Sequence, residues 1–101
     1  LMTSNHLPGG ADLMHHALGG WAATTFSGIG FGLGFSVTLD PAQAQISGTP
    51  GEFAWGGAAS TAFWVDPIEG LVVVFMTQLM PSTQYNIRRE LRSIVYSALT
   101  D

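Results

Sequence analysis

The chain has 101 residues, 47% apolar and only 10% charged, and seven acids against three bases give a formal net charge of −4. The bases are Arg88, Arg89 and Arg92, and there is no lysine and no cysteine. That excludes disulfides, cysteine-ligated zinc, thiol nucleophiles and lysine chemistry within these residues, argues against disorder, and argues against nucleic-acid binding because residues 1–87 carry no Lys or Arg.

Leu1 to His6 has neither the positive start nor the apolar stretch of a secretory signal, and does not resemble a natural start. The sequence therefore reads as the later part of a longer protein. A single partial domain over 1–101 is expected, with a mean hydropathy of +0.30 that suits the inside of something larger. Residues 1–25 form a lead-in punctuated by Pro8, Gly9, Gly10, Gly19 and Gly20, with a helical turn over Asp12–Leu18.

Residues 26–78 read as an antiparallel meander. From Ile29 to Leu39 every odd position is apolar and most even ones are glycine, which predicts one strand with an aromatic face and a bare face against which something packs closely. Asp40-Pro41 ends it, and Ser47 to Gly51 is a turn cluster. Glu52 to Asp66 predicts a long strand, or two strands meeting at a bulge at Gly56-Gly57. Asp66-Pro67-Ile68-Glu69-Gly70 fits a hairpin loop. Leu71 to Gln78 reads as a strand apolar on both faces, hence central in a covered sheet. Its longest apolar run, Leu71–Met76, is far short of the roughly 20 residues needed to span a bilayer.

A helix is expected over 82–100, capped by Ser82 or Thr83, with Ile87, Leu91, Ile94, Val95 and Ala98 as its apolar stripe and the arginines mainly off it. The fold class is thus α+β: three or more antiparallel strands with a C-terminal helix on one face. One helix cannot cover both faces, so the second layer must come from missing chain or from self-association.

Candidate chemistry is sparse. Gly28 to Gly34 does not match a phosphate-binding glycine loop, because no register supplies G-x-G-x-x-G. His6, His15, His16 and Asp12 lack the spacing of metal ligands, so neither a metal nor another cofactor is expected. Glu52, Asp66 and Glu69 read as solvated or turn-capping carboxylates. G-x-S-x-G is absent, and S-x-x-K is impossible without lysine. One stretch, Glu52 to Pro67, sets a Gly-Gly step inside an aromatic strand. Two readings stay open there: a bulge beside a core tryptophan, or a place where a ligand comes close.

That stretch resembles the third motif of the serine β-lactamase and penicillin-recognising superfamily. The nearest branch is the class C β-lactamase-like hydrolases and family VIII carboxylesterases, in which Trp-Gly-Gly, here Trp55-Gly56-Gly57, replaces Lys-Thr-Gly. The flanks Asn5-His6-Leu7-Pro8, Gly30 to Phe35, Phe63 to Pro67, Val74 to Gln78 and Ile87 to Leu91 are similar too. The resemblance implies the last quarter of such an enzyme. It implies acyl-enzyme chemistry on a small-molecule ester or amide, by a Ser and Lys of S-x-x-K and a Tyr that are absent from this chain. It implies that Ala58 supplies an oxyanion-hole N–H, that Gly56 and Gly57 let the acyl group lie along the strand edge, and that Trp55 lines the pocket. A tryptophan where relatives carry lysine tilts the substrate from penicillins towards neutral carboxylic esters, and the chain alone would be inactive. The alternative is a non-catalytic β-sheet module that offers its bare face or an edge strand to a partner.

Overall fold

The computed structural model, which describes residues 1–13, 27–81 and 85–100, has the expected α+β class. Five antiparallel strands lie side by side in chain order: β1 (Ile29–Phe31), β2 (Ser36–Thr38), β3 (Phe53–Gly56), β4 (Ala62–Asp66) and β5 (Leu71–Phe75). A one-turn helix α1 (Pro41–Ala44) joins β2 to β3, and α2 (Ile87–Ser97) follows the sheet. Most of the turn expected over Asp12–Leu18, together with His15, His16 and the caps Ser82 and Thr83, lies outside the described residues. Helix α2 starts at Ile87, later than expected, after Asn86, whose side chain makes no capping bond.

Two of the expected strands are hairpins. The glycine-alternating run folds back at Gly32–Phe35, where the Gly32 amide donates to the Phe35 carbonyl at 2.8 Å and Gly34 takes φ +114°. Pairing of Ile29 with Thr38 and Phe31 with Ser36 exchanges the faces, so the odd residues of β1 and β2 lie on opposite sides. Strict alternation along the sequence therefore does not mark one continuous face. The bare glycines do receive close neighbours: a Cβ on Gly30 would stand 2.5 Å from the Asn5 amide, and Gly32 lies against the Met2 carbonyl. Residues 2–6 also pair with β1, through His6 N to the Phe31 carbonyl and Leu33 N to the Met2 carbonyl, both at 2.9 Å.

The second long run divides into β3 and β4 (next section). Strand β5 lies at the sheet edge and not at its centre, with Val72 and Val74 each 64% exposed. Its double-sided apolar pattern expresses one face on the side of the sheet that carries α2 and one open face. Asp40 caps α1 by accepting from the Ala42 and Gln43 amides at 3.0 and 3.3 Å, with Pro41 in the first turn; Asp-Pro here starts a helix as well as ending a strand.

Helix α2 turns a different face to the sheet from the one its apolar stripe predicts. Arg88, Arg92 and Tyr96, spaced i, i+4 and i+8, point inward, while Ile94 is 67% exposed. The reason is a pair of carboxylates on the sheet. Glu52 and Asp66 are fully buried, not solvated. Arg92 forms an ion pair with Glu52 Oε1, Thr38 donates to the same oxygen at 3.1 Å, and Tyr96 donates to Glu52 Oε2 at 2.7 Å. The Tyr96 hydroxyl also lies 2.8 Å from Asp66 Oδ2, which accepts from Thr49 at 2.5 Å. Trp64, only 1% exposed, stacks on Tyr96 and lies 4.5 Å from the Arg92 guanidinium.

Removing Arg92 strands a buried carboxylate. Arg92→Ala should cost about 3–5 kcal/mol in chemical denaturation, whereas a double change of Glu52 and Arg92 to leucine and methionine should recover much of that loss. A loss no larger than that of an exposed substitution such as Glu90→Ala would show the pair to be energetically idle.

Candidate functional site

Strands β3 and β4 meet at a turn over Gly57–Ser60. The Gly57 amide donates to the Thr61 carbonyl at 3.1 Å and the Ser60 amide to the Gly57 carbonyl at 3.2 Å, the pattern of a three-residue hairpin loop. Such loops place their last residue in the left-handed region, usually as glycine. Here that residue is Ser60, at φ +71°, buried and held by a 2.5 Å bond from its hydroxyl to the Leu79 carbonyl. With serine in the glycine position, the hairpin is hard to see in the sequence.

The Gly-Gly step is explained by the protein's own side chains. A Cβ on Gly56 would stand 2.7 Å from Arg88 Nη2, and one on Gly57 would stand 2.6 Å from the Thr61 hydroxyl. Arg88 fills that space, donating from Nη2 to the Gly57 carbonyl at 2.7 Å and to the Thr61 carbonyl at 2.8 Å. Sequence reasoning missed Arg88. The available signal was a second helix stripe of Arg88, Arg92 and Tyr96 beside the apolar one.

Trp55 is not a core tryptophan. It is 52% exposed on the sheet face opposite α2 and meets Phe31 edge-on at 5.6 Å; among the described residues the buried tryptophan is Trp64. The cross-strand pairs group Trp55 with Phe63 and Val74 on that open face. An open hollow of about 420 Å³ beside the turn has Trp55, Gly56, Gly57, Thr61, Phe63 and Met76 in its lining.

The β2 side of this segment is free. Strand β2 pairs with β3 only at Val37–Phe53 and Ser36–Ala54. Because Gly57 N bonds to β4 while the Glu52 and Ala54 carbonyls accept from Thr38 and Ser36, the alternate residue Gly56 turns its main chain to the unpaired side. Ala58 is exposed, and its N–H has no acceptor among the described residues. Trp55, Gly56, Gly57 and Ala58 thus stand together at one strand end with a free edge.

The titratable groups lie behind this edge. Burial opposes ionisation of Asp66, but hydrogen bonds from Thr49, the Glu69 and Ile68 amides and Tyr96 outweigh it and hold the carboxyl below its usual range. Burial and then the Glu52 and Asp66 carboxylates push the Tyr96 phenol well above its usual range. Tyr96 is therefore a hydrogen-bond donor, not a proton acceptor. His6 bonds through Nε2 to the Leu1 carbonyl at 2.7 Å, and Asp12 accepts from the Gly28 amide at 2.9 Å.

The Beta-lactamase family model matches residues 7–96. Protein Rv1367c of Mycobacterium tuberculosis strain ATCC 25618 / H37Rv and Uncharacterized protein MT1414 of strain CDC 1551 / Oshkosh are each 39% identical over 57 residues. The match covers 54% of this chain and 14% of each of those proteins. Among solved structures, EstCE1, a hydrolase with promiscuous acyltransferase activity, is similar with a TM-score of 0.66 and 29% identity, over 78% of this chain and 21% of that one.

The buried carboxylate sets an acid limit. Because the native Asp66 pKa is depressed, folding favours its ionised form; this contribution is complete above the ordinary value of 3.8 and is lost as pH falls through the lower native value. Stability should therefore decline below about pH 4, and Asp66→Asn should be less stable at pH 7 with a shallower acid decline, read by thermal melts across pH 2–7. Parallel curves for the two proteins would contradict this role.

Proposed function

This chain belongs to the Beta-lactamase family, and on that premise we propose that it supplies one wall of an acyl-transfer site in a serine hydrolase acting on carboxylic esters, with β-lactams as a weaker substrate class. The match spans 14% of the two mycobacterial relatives and 21% of EstCE1, a hydrolase with promiscuous acyltransferase activity. The nucleophilic Ser, its Lys and the proton-handling Tyr belong to sequence not present in this chain.

The observation that carries the proposal is the free Ala58 N–H at the end of an unpaired strand edge. A donor left without an acceptor suits a site where negative charge develops on a substrate carbonyl oxygen. The attacking serine oxygen forms the new bond to that carbonyl carbon, the carbonyl π pair moves to oxygen, and Ala58 N–H stabilises the oxyanion. Collapse of the oxyanion breaks the ester C–O bond, and the alkoxide leaves as the alcohol with the proton that the serine hydroxyl gave up to the Lys and Tyr outside this chain. Gly56 and Gly57 present main chain along which the acyl group lies. Trp55 offers an apolar wall where the Lys-Thr-Gly members of the wider superfamily carry a cation, which favours neutral esters over carboxylate-bearing lactams. A non-catalytic assembly module would use the same open face but has no need of this free donor. In the hydrolase the open face bearing Val72 and Val74 packs under the remainder of the domain or under a second copy.

Ala58→Pro is a direct test in the intact protein that carries this segment. Ala58 holds the second position of its turn, where proline is compatible, so the variant removes the N–H and leaves the turn. Turnover of p-nitrophenyl esters should fall about 10²–10³-fold. Normal turnover with an intact fold would remove Ala58 from the mechanism. Trp55→Ala should change the ranking of acyl-chain lengths in kcat/KM more than it changes kcat; a uniform loss for all esters would exclude a pocket-wall role.

A further inference from the structure

The Gly57–Ala58 peptide carries a hydrogen bond on one end only. Its carbonyl is held by the Ser60 amide at 3.2 Å and by Arg88 Nη2 at 2.7 Å, and its N–H is free. A peptide unit is planar and trans, so C=O and N–H point in opposite directions. Whatever fixes the Gly57 carbonyl therefore fixes the direction of the Ala58 N–H.

Arg88 is built to do this. Nη2 has two hydrogens and directs them to two carbonyls, Gly57 and Thr61, at the two ends of the turn. Arg88 Nε is buried with no partner among the described residues, so these carbonyls are the bonds that locate the guanidinium. Gly56 leaves the space the guanidinium occupies, since a Cβ there would stand 2.7 Å from Nη2. One helical turn further on, the Arg92–Glu52 ion pair fastens the same helix face to the sheet.

We propose that Arg88 is a positioning residue for the oxyanion hole: by holding the Gly57 carbonyl it aims the Ala58 N–H at the reacting carbonyl oxygen. This rests on the acyl-transfer reading above. Arg88 touches neither substrate nor reacting atoms and acts through one peptide plane. Both bonds leave the single nitrogen Nη2; lysine keeps the charge, but its side chain is one bond shorter and its nitrogen stops short of that position, so geometry and charge are separable.

The test uses the intact protein that carries this segment. Arg88→Ala and Arg88→Lys should each lower kcat for p-nitrophenyl butyrate about 10²-fold, as a misaimed group does, with little change in KM. Added guanidinium should restore part of the kcat of Arg88→Ala and none of that of Ala58→Pro. With ¹⁵N-alanine labelling, the Ala58 amide resonance of Arg88→Ala should shift or broaden. An unchanged Ala58 resonance, or full kcat in Arg88→Ala, overturns the proposal. So does a loss seen as a lower fraction of titratable sites without guanidinium rescue, because that is a merely structural role. Normal turnover in Ala58→Pro removes Ala58 from the mechanism and this proposal with it, whereas no ester turnover in the unaltered intact protein overturns the acyl-transfer reading itself, and the amide resonance still decides whether Arg88 holds the peptide.

Discussion

The buried Glu52–Arg92 ion pair is the constraint on which the rest depends. Glu52 and Asp66 lie under α2 with no access to solvent, and the groups that compensate them come from the helix and from Thr38 and Thr49. Turning α2 to bury Ile94 would gain about 1.5–3 kcal/mol for that side chain. The same rotation would withdraw Arg92 and Tyr96, and breaking a buried pair by removing one partner costs about 3–5 kcal/mol. The charge requirement wins, and the helix presents its polar stripe inward. Such a pair adds little net stability over an apolar equivalent, but it admits one rotation of α2 and penalises others.

The rotation chosen by Arg92 also places Arg88. Four residues back on the same face, Arg88 reaches the Gly57 and Thr61 carbonyls, and Gly56 and Gly57 are the positions at which the strand makes room. A chain of contacts runs from Glu52 through α2 to the β3–β4 turn. The turn is a local structure, but its attitude is set by a helix more than 25 residues away in sequence. The structure is closed beneath this turn and open above it, with Trp55 and the unpaired edge of Gly56 on the side left free. That asymmetry is what the acyl-transfer site proposed above requires of one of its walls.

Much of this was legible from local rules. The Asp66–Gly70 hairpin, the C-terminal helix, the close packing against Gly30 and Gly32, and the special character of Trp55-Gly56-Gly57 follow from turn chemistry, periodicity and the absence of side chains. Other features were not. The hairpin at Gly32–Phe35 was hidden because alternation continues through the turn while the face changes, and the one at Gly57–Ser60 because serine occupies the left-handed position.

The sequence by itself determined the antiparallel α+β class, the family resemblance and the residues that stand at the free strand end. Those depend on period, turn residues and a short motif, all of which are local. Only the tertiary structure decided that Glu52 and Asp66 are buried, that α2 shows arginine and not isoleucine to the sheet, and that Arg88 belongs to the turn. Each of these joins residues about 30 or more positions apart, and a charge reveals its burial only when its partner is in place.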